Sequence, residues 1–397
     1  MNNLTMREKF KEIFSREGEI FFFAPGRVNL IGEHTDYNGG HVLPCAIGAG
    51  TYALAAPRED GRLRLFSLNY PEGPMVDADT RELRPDKKYG WACYPLGVAA
   101  VLKLRGHSVS GADILFWGDL PEGAGLSSSA SIEILTAIIL KTFSHLDLTG
   151  PELAAVGQAT ENDFIGVHSG IMDQFIVACG QAGQALLLNC ETLAYEYVPL
   201  YLGQAALIII DSGKRRGLAD SKYNQRRAEC QAALAAINSG AKKAFTFLGE
   251  ISPEEFELYA PLIEDEILMK RARHVIDENR RTLEAAKALA YGELADFGRL
   301  MCASHASLRD DYEVTGPELD ALVEIAQNHP AALGARMTGA GFGGCAVAFV
   351  RSAAEMEDFR RKVADEYLAR TGYTAAFYPV TASEGARPIE PELMEAL

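Results

Sequence analysis

The segment that most constrains this chain is residues 112–143, "ADILFWGDLPEGAGLSSSASIEILTAIILKTF". Residues 112–118 predict a strand, and 128–143 carry apolar positions at helical spacing. Between them stand Gly123, Gly125 and three consecutive serines, Ser127, Ser128 and Ser129. Strand, glycine loop and helix in that order suit an anion. The glycines let backbone N–H groups converge, and the helix points its positive end at the same spot. The loop is not a P-loop, because G-x-x-x-x-G-K-[ST] and its lysine are absent. A dinucleotide fingerprint would need a third glycine where Ser128 stands. A plain turn with an N-cap needs one serine, so three favour phosphate binding over a mere turn.

The rest of the chain mixes strands and helices without a regular βαβ rhythm, which predicts an α+β fold. Strands are expected at 19–23, 41–56, 61–68, 204–211 and 345–350, with a hairpin over 184–200 and a long loop over 25–40. Helices are expected at 94–106, 149–166, 217–237, 264–291, 293–305, 317–328 and 356–370. Thr149 with Glu152 three residues on reads as a capping box. The 397 residues suffice for two domains. The turn "LYLGQ" suggests a boundary near 200, giving domains 1–200 and 201–397. A net charge of −16 opposes nucleic acid and anionic membranes at long range. Seven cysteines with no C-x-x-C pair signal neither a disulfide framework nor a zinc cage. No signal peptide or membrane-spanning run is seen, so the cytosol is the expected compartment.

Three further places carry chemistry. "APGRVNLIGEHTDYNGGHVLP" (24–44) groups Arg27, Glu33, His34 and Asp36 within a glycine-framed segment anchored by Val28, Leu30 and Ile31. Carboxylates and a histidine in one loop suit recognition of several hydroxyls. Glu161 sits at a helix C-terminus with no Lys or Arg beside it, where a carboxylate is disfavoured. A magnesium ion shared with the serine loop would reverse that sign; an exposed end tolerating the cost explains it equally. Asp173, among Ile171, Met172 and Phe175, is costly unless paired. It reads either as the partner of an arginine or as a general base. "RMTGAGFGGCAVAF" (336–349) is a second glycine loop running into a strand, able to approach phosphates or the other domain.

These blocks together resemble the GHMP kinases. Pro121 to Ala130 matches the P-x-x-x-G-L-S-S-S-A phosphate loop, and "GRVNLIGEHTDYNGG" (26–40) resembles the galactokinase signature. "GIMDQF", "KYNQRRAEC", "SHASLRDDYEVT" and "MTGAGFGGCAVA" are similar to that family as well. The resemblance implies two α+β domains with the active site in the cleft between them. It implies ATP-dependent phosphorylation of D-galactose at C1, the first committed step of galactose catabolism. By the same resemblance Arg27 stabilises the transition state and Asp173 is the base. Glu33, His34, Thr35, Asp36, Gly170 and Tyr223 contact the sugar. Gly123, Ala124, Gly125, Leu126, Ser127, Ser128 and Ser129 hold the ATP phosphates, and Ser67 and Trp91 line the nucleotide pocket. Ser129 and Glu161 are the implied Mg²⁺ ligands. The substrates would be D-galactose and ATP, with no nucleic-acid or membrane partner, and the chain is expected to be a monomer. Rival readings are a kinase for a related sugar such as N-acetylgalactosamine, a non-catalytic galactose and ATP sensor, and an oxidoreductase. The intact "GLSSSAS", Arg27 and Asp173 speak against the sensor.

Overall fold

The computed structural model describes residues 1–121, 123–215 and 219–394. The chain opens with helix α1 (Asn3–Phe14), then strands β1 (Ile20–Asn29), β2 (His41–Val42), β3 (Pro44–Arg58), β4 (Arg62–Ser67) and β5 (Val76–Asp79). Helix α2 (Cys93–Leu104), strand β6 (Gly111–Gly118) and helices α3 (Ser128–Phe143), α4 (Gly150–Ala159) and α5 (Met172–Cys179) follow. Next come strands β7 (Gln184–Asn189), β8 (Tyr195–Pro199) and β9 (Ala206–Asp211). Helices α6 (Ala219–Asn238), α7 (Pro253–Tyr259), α8 (Glu266–Ala290), α9 (Leu294–Asp310) and α10 (Pro317–Asn328) form a continuous helical stretch of the chain. Strands β10 (Ala332–Thr338) and β11 (Cys345–Val350), helix α11 (Met356–Thr371) and strands β12 (Ala376–Pro379) and β13 (Arg387–Ile389) complete it.

The strands build three sheets, ordered β13-β1-β3-β6-β4-β5, β10-β11-β9-β12 and β2-β7-β8. Strand β1 is buried on both faces, which is why its first half, residues 20–24, is a continuous apolar run. Phe21 and Phe23 pack with Met6, Phe10 and Phe14 of α1, while Phe22 and Ala24 face Leu96, Ile134 and Leu135 of α2 and α3. Each such aromatic burial stabilises roughly 1.5–3 kcal/mol. Strand β1 runs on to Asn29, beyond the expected end at 23, because a register shift between Pro25 and Arg27 absorbs the Pro-Gly pair. The expected 25–40 loop therefore begins as strand, and Arg27 stands on a sheet rather than on a free loop.

Helix α3 begins at Ser128 as the periodicity predicts, and the capping box of Thr149 and Glu152 is present. The 184–200 hairpin forms as β7 and β8. The expected 149–166 helix is α up to Ala159, then a π-helical turn over Thr160–Ile165, closed by Gly166 at φ 87°. Expected position 217 of the next helix lies outside the described residues. One core spans both halves of the chain. Val28, Leu30 and Leu126 join Leu207, Ile209, Phe297, Val347 and Phe349 in a single buried cluster. That cluster holds the first sheet against the second and leaves a cleft open above it.

Candidate active site

The glycine-serine loop joins β6 to α3, and Ser129 carries it to the wall of a cleft. Gly123 and Gly125 both adopt left-handed backbone, with φ of 72° and 76°, which side chains with a Cβ rarely take. Ser127 is left-handed too, at φ 64°, and stands at the N-cap position of α3 without capping it. Its hydroxyl instead donates to Asp173 Oδ2 at 2.5 Å. Among the described residues, no side chain accepts from the first-turn N–H groups of α3, as an anion site requires. Ala124 and Leu126 are buried in the shared core and fix the loop from below.

Arg27 and Asp173 meet across 146 residues of sequence. Arg27 Nε donates to Asp173 Oδ1 and Nη2 to Oδ2, each at 2.7 Å, a two-pronged pair. Arg27 Nη1 donates to the carbonyl of Gly125 at 2.7 Å, so one guanidinium ties the phosphate loop to the acid. Asp173 occupies the first turn of α5, where a carboxylate is favoured by the helix dipole. The pairing with an arginine that its sequence setting called for is thus present. Its side chain remains 29% exposed, on the cleft.

The cleft has a volume of about 590 Å³. Glu33, His34, Asp36, Gly170 and Tyr223 line one side of it, with Arg27 and Asp173. Glu33 accepts from Gly339 N at 2.5 Å and from Asn29 Nδ2, and Arg336 Nη1 lies 3.5 Å away. Burial pushes its carboxyl up, opposed chiefly by Arg336. His34 Nε2 lies 3.3 Å from the Ala340 carbonyl, which can only accept, so Nε2 donates and Nδ1 accepts from the Tyr37 hydroxyl at 2.8 Å. Burial drives its pKa down to about 3, so the ring is neutral. Both ring nitrogens are engaged within the protein, and His34 meets the cleft as a wall. Thr35 does not reach the cleft: it is fully buried, and its hydroxyl lies 2.8 Å from Gly32 O and 2.7 Å from His41 O. Among the described residues, no side chain donates to Asp36, and the backbone N–H of Tyr37 faces it. Burial, and then the charge of Asp173, raise its carboxyl to about 7. Gly170 is required beside it, because a Cβ there would collide with the Asp36 carboxylate.

The other side of the cleft carries Ser129 and Glu161. The π-helical turn swings Glu161 inward, and such turns recur at functional sites. Glu161 is 8% exposed, and burial raises its carboxyl, with the Ser169 and Ser129 hydroxyls opposing. Among the described residues it forms no ion pair. The exposed-end explanation of Glu161 therefore fails. A buried carboxylate beside a serine hydroxyl fits a hard divalent cation that takes its other ligands from phosphate and water. A second cavity of about 220 Å³ adjoins the loop and is lined by Ser67, Trp91, Tyr94, Ser128 and Ser129. Ser129 borders both cavities.

Sequence reasoning missed Gln174, Asn224, Gly339 and Ala340, which also line the cleft. Gln174 follows Asp173 directly, and Gly339 and Ala340 belong to the second glycine loop, so adjacency to flagged residues was the available signal. Tyr312 lies within the quoted "SHASLRDDYEVT" and stands behind the site, with its hydroxyl 2.8 Å from that of Tyr37 and its ring 4.9 Å from that of His34.

Comparison with known proteins agrees with this arrangement. Residues 8–57 match the galactokinase galactose-binding signature, 94–181 the GHMP kinase N-terminal domain and 283–369 the GHMP kinase C-terminal domain. The galactokinase of Exiguobacterium sibiricum is 50% identical over 395 residues, covering 99% of this chain and all of the relative. The structure of Lactococcus lactis galactokinase complexed with galactose superposes with a TM-score of 0.94 at 45% identity, covering 97% of this chain and 99% of that one. Methanococcus jannaschii mevalonate kinase shares the fold at a TM-score of 0.61 and 20% identity, over 94% of this chain and all of that one. A two-domain α+β fold, a lysine-free serine loop and a galactokinase signature over the sugar side converge: the chain belongs to the galactokinase family of the GHMP kinases.

Proposed function

We infer that this chain transfers the γ-phosphoryl group of ATP to the C1 hydroxyl of D-galactose, giving α-D-galactose 1-phosphate and ADP. The observation that carries the reading is the Arg27–Asp173 pair, which ties the phosphate loop to the sugar side of the cleft. Asp36 and Glu33 orient galactose by accepting its hydroxyls, with Tyr223 and the neutral His34 as walls and Gly170 leaving room. The sugar's C1 oxygen then faces Asp173. As that oxygen bonds to the γ-phosphorus, its proton passes to Asp173, and the bond from phosphorus to the bridging oxygen of ADP breaks. Phosphoryl transfer asks for positioning and charge neutralisation more than covalent chemistry. The loop 123–129 supplies N–H donors and the α3 dipole, and Arg27 a fixed positive group beside the transferring phosphoryl. Ser67 and Trp91 flank the nucleotide. Ser129 and Glu161 would hold Mg²⁺, which when bound neutralises phosphate charge.

The division into domains 1–200 and 201–397 belongs to this proposal. Sheet membership supports it: β1 and β3 to β6 share one sheet and β9 to β12 another, while β13 returns to the first. The expected monomer belongs to this proposal as well. ATP as co-substrate suits the cytosol. An ADP-release assay across a panel of free sugars with MgATP tests the reading. D-Galactose should be preferred, and D-glucose poor, because one inverted hydroxyl leaves a buried acceptor unpaired. Comparable kcat/KM for the two sugars would overturn it.

A further inference from the structure

Arg336 lies on β10, just before the second glycine loop, and its side chain is wholly buried. Its Nε donates to Ser304 Oγ on α9 at 3.1 Å. Its Nη1 donates to the carbonyls of Asn29 and Leu30, at 3.2 and 3.3 Å, where β1 ends and the sugar-side segment begins. The same nitrogen stands 3.5 Å from Glu33 Oε2, and Nη2 stands 4.0 Å from Glu278 Oε1. Glu278 has other company: Arg281 Nε at 2.8 Å, Gly32 N at 3.0 Å and Ser304 Oγ at 2.5 Å. Glu33 has not. Among the described residues, Arg336 is the one cation within ion-pair range of it. Arg336 itself does not line the cleft.

A buried carboxylate without an opposing charge takes up a proton, and then one of its oxygens becomes a donor. A sugar hydroxyl recognised as a donor would lose its acceptor. We propose that Arg336 is the positioning residue of the sugar side: from behind Glu33 it fixes that carboxylate as a hydrogen-bond acceptor and so sets galactose affinity without touching the sugar. The proposal rests on the reading that Glu33 contacts galactose. Thr338, two residues on, strengthens the seam, since its hydroxyl donates to Asn29 O at 3.0 Å.

The test measures galactose dissociation by calorimetry and the KM for ATP in Arg336→Met, Glu33→Gln and the double variant. Arg336→Met should weaken galactose at least about tenfold, the scale of a lost charge-assisted hydrogen bond. Its KM for ATP should stay within about twofold of wild type, and the double variant should bind galactose no more weakly than Glu33→Gln, as residues acting through one another do. Unchanged galactose affinity in Glu33→Gln would remove the Glu33 contact itself. Weakened binding in Glu33→Gln with wild-type binding in Arg336→Met would overturn the positioning role alone. Equal losses for galactose and ATP would mean a merely structural arginine and overturn it too. Should Arg336→Met fail to fold, Arg336→Gln removes the charge while keeping a hydrogen-bonding group and is judged by the same two readouts. A selective galactose loss supports the proposal, and no loss or a common loss sinks it.

Discussion

On the sugar side of the cleft the polar groups other than Asp36 already have protein partners. Glu33 is held by Asn29, Gly339 and Arg336, and His34 by Tyr37 and Ala340. Across the cleft, α3 begins without a side-chain cap and Glu161 is buried among the described residues without an ion pair. On the proposed reading the first surface, Asp36 apart, is in place before a ligand arrives, and the second is completed by one. Chemistry explains the difference. A sugar offers neutral hydroxyls, which reward acceptors fixed in a dry pocket. MgATP brings its own charges, so donors left open on that side cost little and are answered on binding.

The largest expected effect comes from the residue that joins the two sides. Asp173→Asn keeps shape but loses the proton acceptor and half of the pairing with Arg27. The kcat should fall at least about 100-fold, the low end of positioned general-base catalysis, while galactose still binds by calorimetry. A variant keeping more than about a tenth of wild-type kcat would rule out an obligatory base. In that event Asp173 serves to hold Arg27, and Arg27→Ala should cost more than Asp173→Asn.

The phosphate side should respond to metal. Glu161→Gln and Ser129→Ala should each raise the free Mg²⁺ concentration for half-maximal rate by about tenfold, roughly one lost ligand. Their galactose affinity should not change. Midpoints that stay put in both variants would remove the metal roles and the contrast between the sides with them.

The sugar side should respond to pH. Asp36 has its carboxyl raised to about 7 by burial and by Asp173, so it is mostly protonated at pH 6 and mostly ionised at pH 8. If the ionised form accepts a sugar hydroxyl, galactose should bind about tenfold more tightly at pH 8 than at pH 6. Stability of the empty enzyme runs the other way. A carboxyl raised on folding stabilises at low pH, and that contribution is lost as pH rises through about 7. Asp36→Asn should flatten the binding profile; an equally steep profile in that variant would clear Asp36. The smallest effect is expected at Ser127, whose hydroxyl only steadies Asp173. Ser127→Ala should lower kcat about threefold, less than the full worth of a hydrogen bond to a carboxylate, because Arg27 still holds both Asp173 oxygens. A loss approaching that of Asp173→Asn would give Ser127 a direct part in transfer.

Local chemistry explains what could be read from sequence. The start of α3 at Ser128, the Thr149–Glu152 box, α10 and β11 follow from periodicity and caps, which need only neighbouring residues. Strand β1 past Pro25 was hidden because Pro-Gly reads as a turn unless a partner strand absorbs the bulge. Strand β10 was hidden because it carries Arg336, a charge that no local pattern assigns to a core. The site divides in the same way. Arg27, Asp173, Glu161 and the serine loop were visible as residue types out of place. That His34 spends both nitrogens inside the protein, and that Thr35 stays in its turn, depends on partners as distant as Ala340 or on a fold not yet built.

The contrast between a finished sugar side and an unfinished phosphate side is tested most directly by galactose binding with and without nucleotide. Calorimetry should give a galactose dissociation constant for the free enzyme within about threefold of that for the enzyme saturated with MgADP, because Glu33 and Asp36 need no phosphate to be in place. Galactose binding that is undetectable until nucleotide is added would show that the sugar side is assembled by the phosphate side, and would contradict the account.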